Sequence, residues 1–152
     1  MFRRALLLFL VLPLVLAAWG GGARADESGC TATVVLVNGD KVTVTDFGVR
    51  LLEDAFKGIH MVVEYESGQS IINIRKLARL TRVSPAGEVP PGRMVTFAFE
   101  ATDGGKGKLR IDSGYIFAGR LPLGAWKVLA GQVKDLRLRC PRDEFTPPKL
   151  GE

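Results

Sequence analysis

TATVVLV-NGD-KVTVTDF, residues 31 to 47, is the stretch whose reading decides the fold. Thr31 to Val37 is a run of β-branched and apolar residues, the composition of a buried strand. Lys41 to Phe47 alternates apolar and polar side chains with period two, the pattern of a strand with one face buried. Between them Asn38-Gly39 supplies the left-handed backbone that a tight hairpin turn needs. The stretch therefore predicts a β-hairpin, and it sets the type of the chain around it.

The same pattern continues C-terminally. His60 to Glu66 (HMVVEYE), a Ser67-Gly68 turn and Gln69 to Ile74 (QSIINI) read as a second hairpin. Val95, Phe97 and Phe99 alternate with Thr96, Ala98 and Glu100, and Asp103-Gly104-Gly105 is the turn that follows. Lys108 to Asp112, Tyr115 to Ala118, Trp126 to Leu129 and Leu136 to Arg139 are four further short strands. One helix is expected, over Val49 to Ile59, where Val49, Leu52, Phe56 and Ile59 fall at spacings of three and four and so share a face. A loop folded over a barrel mouth fits the same residues. Ser84 to Arg93 (SPAGEVPPGR) holds three prolines and two glycines and reads as a linker. The tail after Cys140, with Pro141, Pro147 and Pro148, is expected to be loose.

The two sides of that linker read alike. Val35 to Asp46 (VLVNGDKVTVTD) corresponds to Phe99 to Asp112 (FEATDGGKGKLRID), with a slightly longer turn in the second. Ile71 to Val83 corresponds to Trp126 to Arg139, and each has a tight turn with apolar residues three apart, Leu77 and Leu80 in one, Val133 and Leu136 in the other. A strand, one 3-10-like turn and a last strand resembles the way SH3-like and Sm-like barrels finish. The expected fold class is all-β: one or two such small barrel modules with at most one short helix. The expected segments are a signal peptide over 1–25, a first module over 26–83, the linker over 84–93, a second module over 94–140 and a tail over 141–152.

Residues 1–25 have the three parts of a secretory signal. Arg3 and Arg4 give a positive start, Ala5 to Ala18 is uncharged and apolar, and Ala23-Arg24-Ala25 has the small residues that signal peptidase accepts. The apolar part is short of the roughly 20 residues that a membrane span needs. The expectation is export to the periplasm or the outside of the cell, with no stable span after cleavage. Retention of the segment as an anchor is the alternative. Removing Arg3, Arg4 and Arg24 from the 21 basic residues leaves 18 against 16 acidic ones, a net charge of +2. That balance gives no argument for a nucleic-acid partner. In an oxidising compartment Cys30 and Cys140, the two cysteines of the chain, read as one structural disulfide. A loop of about 110 residues closed this way stabilises a fold by about 4–5 kcal/mol on chain entropy.

No motif carries chemistry. His60 is the one histidine, at the head of an alternating strand, and no G-x-S-x-G elbow is present. Asp103 to Lys108 (DGGKGK) fails as a phosphate loop, because Thr102 stands where the first glycine belongs and Leu109 follows the lysine. Asp40, Asp46, Asp103 and Asp112 could offer oxygens to calcium, but Asp beside Gly is ordinary turn chemistry. Glu53-Asp54 and Glu64/Glu66 contain acidic pairs with nothing to fix a glycosidase spacing. No cofactor and no metal is expected. Phe97, Phe99, Tyr115, Phe117 and Trp126 are the large groups that a small β-domain must bury. Tyr115 and Trp126, which carry a polar edge, are the candidates for contact with a partner. Arg75, Lys76, Arg79 and Arg82 form a basic run, a solvated face or a contact for acidic polymers. The function expected is an exported, non-catalytic binding or assembly module of a bacterial-type cell envelope, its partner an envelope protein or an acidic cell-wall polymer. The alternatives are a small exported hydrolase whose scattered site includes His60, and an anchored component of an envelope complex.

Overall fold

The computed structural model describes residues 29–51 and 58–142. The expected signal segment over 1–25 and the end of the tail lie outside those residues. The described chain forms ten strands: β1 Thr31–Leu36, β2 Lys41–Arg50, β3 His60–Tyr65, β4 Gly68–Asn73, β5 Leu77–Ser84, β6 Met94–Ala101, β7 Lys106–Asp112, β8 Ile116–Leu121, β9 Gly124–Leu129 and β10 Val133–Arg139. Short 3-10 turns, Ile74–Lys76 and Ala130–Gln132, precede β5 and β10. The strands make one curled antiparallel sheet in the order β4-β3-β7-β6-β5-β10-β1-β2-β8-β9. All-β architecture follows from the alternating patterns, and the hairpins β1–β2, β3–β4, β6–β7 and β8–β9 all form locally.

The expected helix does not begin where its periodicity begins. Val49 and Arg50 are the end of β2, and Gly58 forms an isolated bridge with Val49. Residues 52–57 lie outside the described residues. The apolar spacing misleads because β2 carries a bulge. Strict alternation from Val42 and Val44 would turn Asp46 into the core. Instead Asp46 takes a left-handed conformation (φ 48°) and the register with β8 shifts between Thr45 and Gly48. The extra residue lets Phe47 and Val49 point inward while Asp46 stays at the margin.

The sheet order reads the same from both ends. β4-β3-β7-β6-β5 from one end corresponds to β9-β8-β2-β1-β10 from the other. Backbone hydrogen bonds follow this correspondence. Val37 N donates to Gln132 O and Thr102 N donates to Lys76 O, both at 2.9 Å. Ile74 N donates to Ile59 O and Ala130 N to Tyr115 O, both at 2.8 Å. In the hairpin turns Gly39 N bonds Leu36 O and Gly104 N bonds Ala101 O. The two turns therefore have the same length, and the longer turn expected after β6 is not found. The two sides differ in β2, which is longer than β7 and bulged, and in the number of residues that follow, 51–59 before β3 against 113–115 before β8.

Strands from the two sides of the linker are interleaved. β2 pairs with β8 and β3 with β7, while β5 and β10 pair at the centre. Leu80 and Leu136 are direct partners there, each 1% exposed. The core covers the inner face of the sheet. Phe47 packs edge-on to Phe117, and Val34, Val44, Val95, Phe97, Ile111 and Leu136 are buried around them. The disulfide Cys30–Cys140 continues the β1–β10 pair one step beyond Thr31 and Arg139. It is compatible with an exported protein. No helix among the described residues is long and apolar enough to cross a membrane.

Candidate binding surfaces

The inner face is core, so chemistry has to be sought on the outer face and at the two ends of the sheet. Period two puts Thr31, Thr33 and Val35 of β1, Lys41 and Thr43 of β2, and Arg137 and Arg139 of β10 on the outer side. They line a recess of about 390 Å³ together with Asp135. A second recess, of about 210 Å³, is lined by Arg79, Thr81, Ala98, Glu100 and Lys106 among others. The two recesses hold corresponding places on either side of the β5–β10 seam. Asp135 joins them. Its carboxylate accepts from Arg79 Nε at 2.9 Å and from Thr81 Oγ1 at 3.0 Å, and Arg137 Nε stands 3.5 Å from its other oxygen.

The basic run from Arg75 to Arg82 does not form one face. Arg79 points outward to Asp135. Arg82 is turned to the opposite side, where its guanidinium lies 5.2 Å from the centre of the Phe97 ring. It donates to the carbonyls of Pro85, Gly87, Ala130 and Gly131. Burial lowers its pKa from the ordinary guanidinium value. Arg75 donates to Pro141 O. The bulge between Leu77 and Arg79 changes which positions of β5 face inward, so the spacing in sequence does not reveal the split.

Arg82 also explains the linker. Its four carbonyl contacts hold residues 85–87 against the 3-10 turn before β10. Val89 is buried, and its N–H donates to Gly131 O at 3.0 Å. Ser113, the buried polar residue of the core, donates to Pro90 O and accepts from Arg93 N. The proline-rich segment is thus packed against the domain through named contacts.

Tyr115 is 5% exposed, and its Oη accepts a hydrogen bond from Val62 N at 2.9 Å. The hydroxyl that suits a ligand platform is here bonded to the backbone of β3. Trp126 lies on β9, opposite Gly119 of β8, half-buried against the core. Phe99 packs edge-on to Tyr65. His60 is exposed at the start of β3, opposite Asn73. Glu64 is paired with Arg110 at 2.8 Å. Asp103 and Asp112 accept from Gly105 N and Gly114 N, each two residues on, the local turn role of an Asp side chain. Among the described residues no group of three His, Cys, Asp or Glu side chains is placed to hold a metal ion. Glu53 and Asp54 lie outside the described residues.

The two end strands are the surfaces that sequence reasoning missed. β4 pairs with β3 alone and β9 with β8 alone among the described residues. They hold corresponding places, so Ile71 of β4 matches Lys127 of β9. Lys127 is exposed. Ile71 is 73% exposed and stands beside Val62, its cross-strand partner, which is 42% exposed. The signal was present in sequence, as two apolar residues at outward positions of one hairpin, but which strands end the sheet is a tertiary fact. Comparison with known proteins found no matching family model, no similar curated protein and no similar solved structure.

Proposed function

We propose that this chain is a non-catalytic assembly module of the cell envelope, exported with residues 1–25 removed, which docks an extended strand of a partner protein along β4. The observation that carries the reading is the contrast between the two ends of the sheet. A lysine on an edge strand discourages pairing with another chain, whereas an exposed apolar edge favours it. β9 carries Lys127 at the position where β4 carries Ile71. β4, GQSIIN, has no proline and no charge. An added strand gains main-chain hydrogen bonds from the edge and specificity from alternate side chains. The partner strand has apolar residues at alternate positions, to cover Ile71 and Val62, and a basic residue toward the exposed Glu66.

The same reading takes the sheet as two SH3-like or Sm-like units that have exchanged their first hairpins. One unit is β1-β2 with β8, β9 and β10; the other is β6-β7 with β3, β4 and β5. The palindromic strand order, the paired backbone bonds and the 3-10 turn before each last strand support it. On this reading the segments 26–83 and 94–140 are two copies of one sequence unit.

The test uses residues 26–152 with the disulfide formed. A photo-crosslinking amino acid is placed at Gln69 in one variant and at Ala125, its counterpart on β9, in another. The expected result is one envelope protein joined at position 69 and not at 125, and lost on Ile71→Lys with thermal melting unchanged. Equal capture at both positions, or capture indifferent to Ile71→Lys, overturns the reading. Loss on Trp126→Ala with Ile71→Lys harmless would also overturn it and move the contact to β9.

A further inference from the structure

We infer that the outer face over the β5–β10 seam is a binding site for a linear acidic polysaccharide, separate from the β4 edge. The first reason is the distribution of charge. Lys41, Arg79, Lys106, Arg137 and Arg139 line the two recesses with Glu100 and Asp135, five positive charges against two negative. Among the described residues 16 basic side chains face 9 acidic ones, and these two recesses hold three of that net +7 on one face of the sheet, a local positive field.

The second reason is an arrangement that a purely structural pairing would not need. Arg79 and Arg137 are direct partners across the seam, and like charges directly opposite one another are destabilising. One carboxylate, Asp135, serves both, and it engages each through Nε. Engagement through Nε leaves the terminal amino groups of both guanidiniums to act as the fork that binds a carboxylate with two hydrogen bonds, and the Arg79 side chain is 41% exposed. Arg137 is 63% exposed. A further carboxylate over this point would balance the triad.

The third reason selects the ligand. The floor between the cations is made of Thr31, Thr33, Thr43 and Thr81, which carry hydroxyls, with the small apolar side chains of Val35 and Ala98. Small residues let a flat chain lie close to the sheet, and hydroxyls match a polyhydroxyl ligand. β5, β10 and β1 are paired on both sides, so they offer no edge along which a peptide could add as a strand. Carboxylates borne on a sugar chain fit both the cations and the hydroxyls.

The probe is polygalacturonate, with its fully methyl-esterified form as the neutral control, titrated calorimetrically into residues 26–152 with the disulfide formed. The expected result is binding of the acid form alone, weakening as salt rises. Arg137→Gln with Arg139→Gln should weaken it about tenfold or more. Arg93→Gln with Arg120→Gln, which removes the same charge elsewhere, should change it less than about twofold. Thermal melting of both double variants checks the fold. Equal weakening by the two pairs, or binding of the neutral polymer, overturns the site. Binding to vesicles of anionic lipid with none to polygalacturonate also overturns it and assigns the face to a membrane surface. Ile71→Lys should leave polysaccharide binding unchanged, so this site and the β4 dock can fail separately.

Discussion

Gly131 stands where a Cβ would lie 2.1 Å from the carbonyl oxygen of Val89. No rotamer change relieves that contact, because the clash is with backbone on one side and with the residue's own Cβ on the other. Gly131→Ala must push the linker away, which strains or breaks the Val89 N–Gly131 O bond and begins to expose Val89. Overpacking and a lost hydrogen bond together should destabilise the fold by about 2–3 kcal/mol. The check is a lowered urea midpoint at unchanged slope. The glycine was visible in the sequence, but its role was not, since Val89 and Gly131 are far apart along the chain. Tyr115 teaches the same lesson from the other side. Its residue type suits an exposed platform and a buried anchor equally well, and only the place of Val62 N decides which use the hydroxyl finds.

At the scale of elements, turn chemistry and period two located the hairpins, but Leu77/Leu80 and Val133/Leu136, which read as tight turns, lie on β5 and β10, and the 3-10 turns come just before them. Asn38-Gly39 and Asp103-Gly104 each close a hairpin, and the side chain of the first residue in each pair accepts from the backbone two residues on. The bulge at Asp46 was not legible, because it appears in sequence only as a break in alternation, which a helix start also produces. The central seam was half legible. Leu80 and Leu136 were matched as members of similar segments, but their contact depends on β5 and β10 lying side by side. Leu80→Ala and Leu136→Ala should each destabilise by about 2–5 kcal/mol, as buried leucines do. Because the two are direct partners, the double variant should depart from the sum of the singles by more than about 0.5 kcal/mol. Additive losses in a denaturant double-mutant cycle would show that the seam does not couple them. The candidate sites follow from the same element-level facts. The basic residues were legible singly, and their gathering over the seam was not.

At the scale of the whole molecule, the interleaving of the two sides is the main consequence. β2–β8 and β3–β7 join strands from opposite sides of the linker, as does β5–β10. Neither side closes its own part of the sheet. Residues 26–87 and 88–152 made as separate chains, under conditions that keep Cys30 and Cys140 reduced, should each stay unfolded and should fold on mixing. Circular dichroism of each piece and of the mixture reads this, and a folded β signal from either piece alone would show that the hairpins can pair within one side. What the sequence determined by itself was the local part: the strands, their turns, the hairpins, the export signal as an expectation, and the pair of cysteines. These depend on side-chain periodicity and on backbone preferences over a few residues. The tertiary structure alone decided which hairpin lies beside which, and with it the edges at β4 and β9, the cation trough over the seam and the fixed linker. The physical reason is that an unpaired strand edge offers the same N–H and C=O groups to any neighbour. Its partner is chosen by how the whole apolar face closes, and no short stretch of residues records that choice.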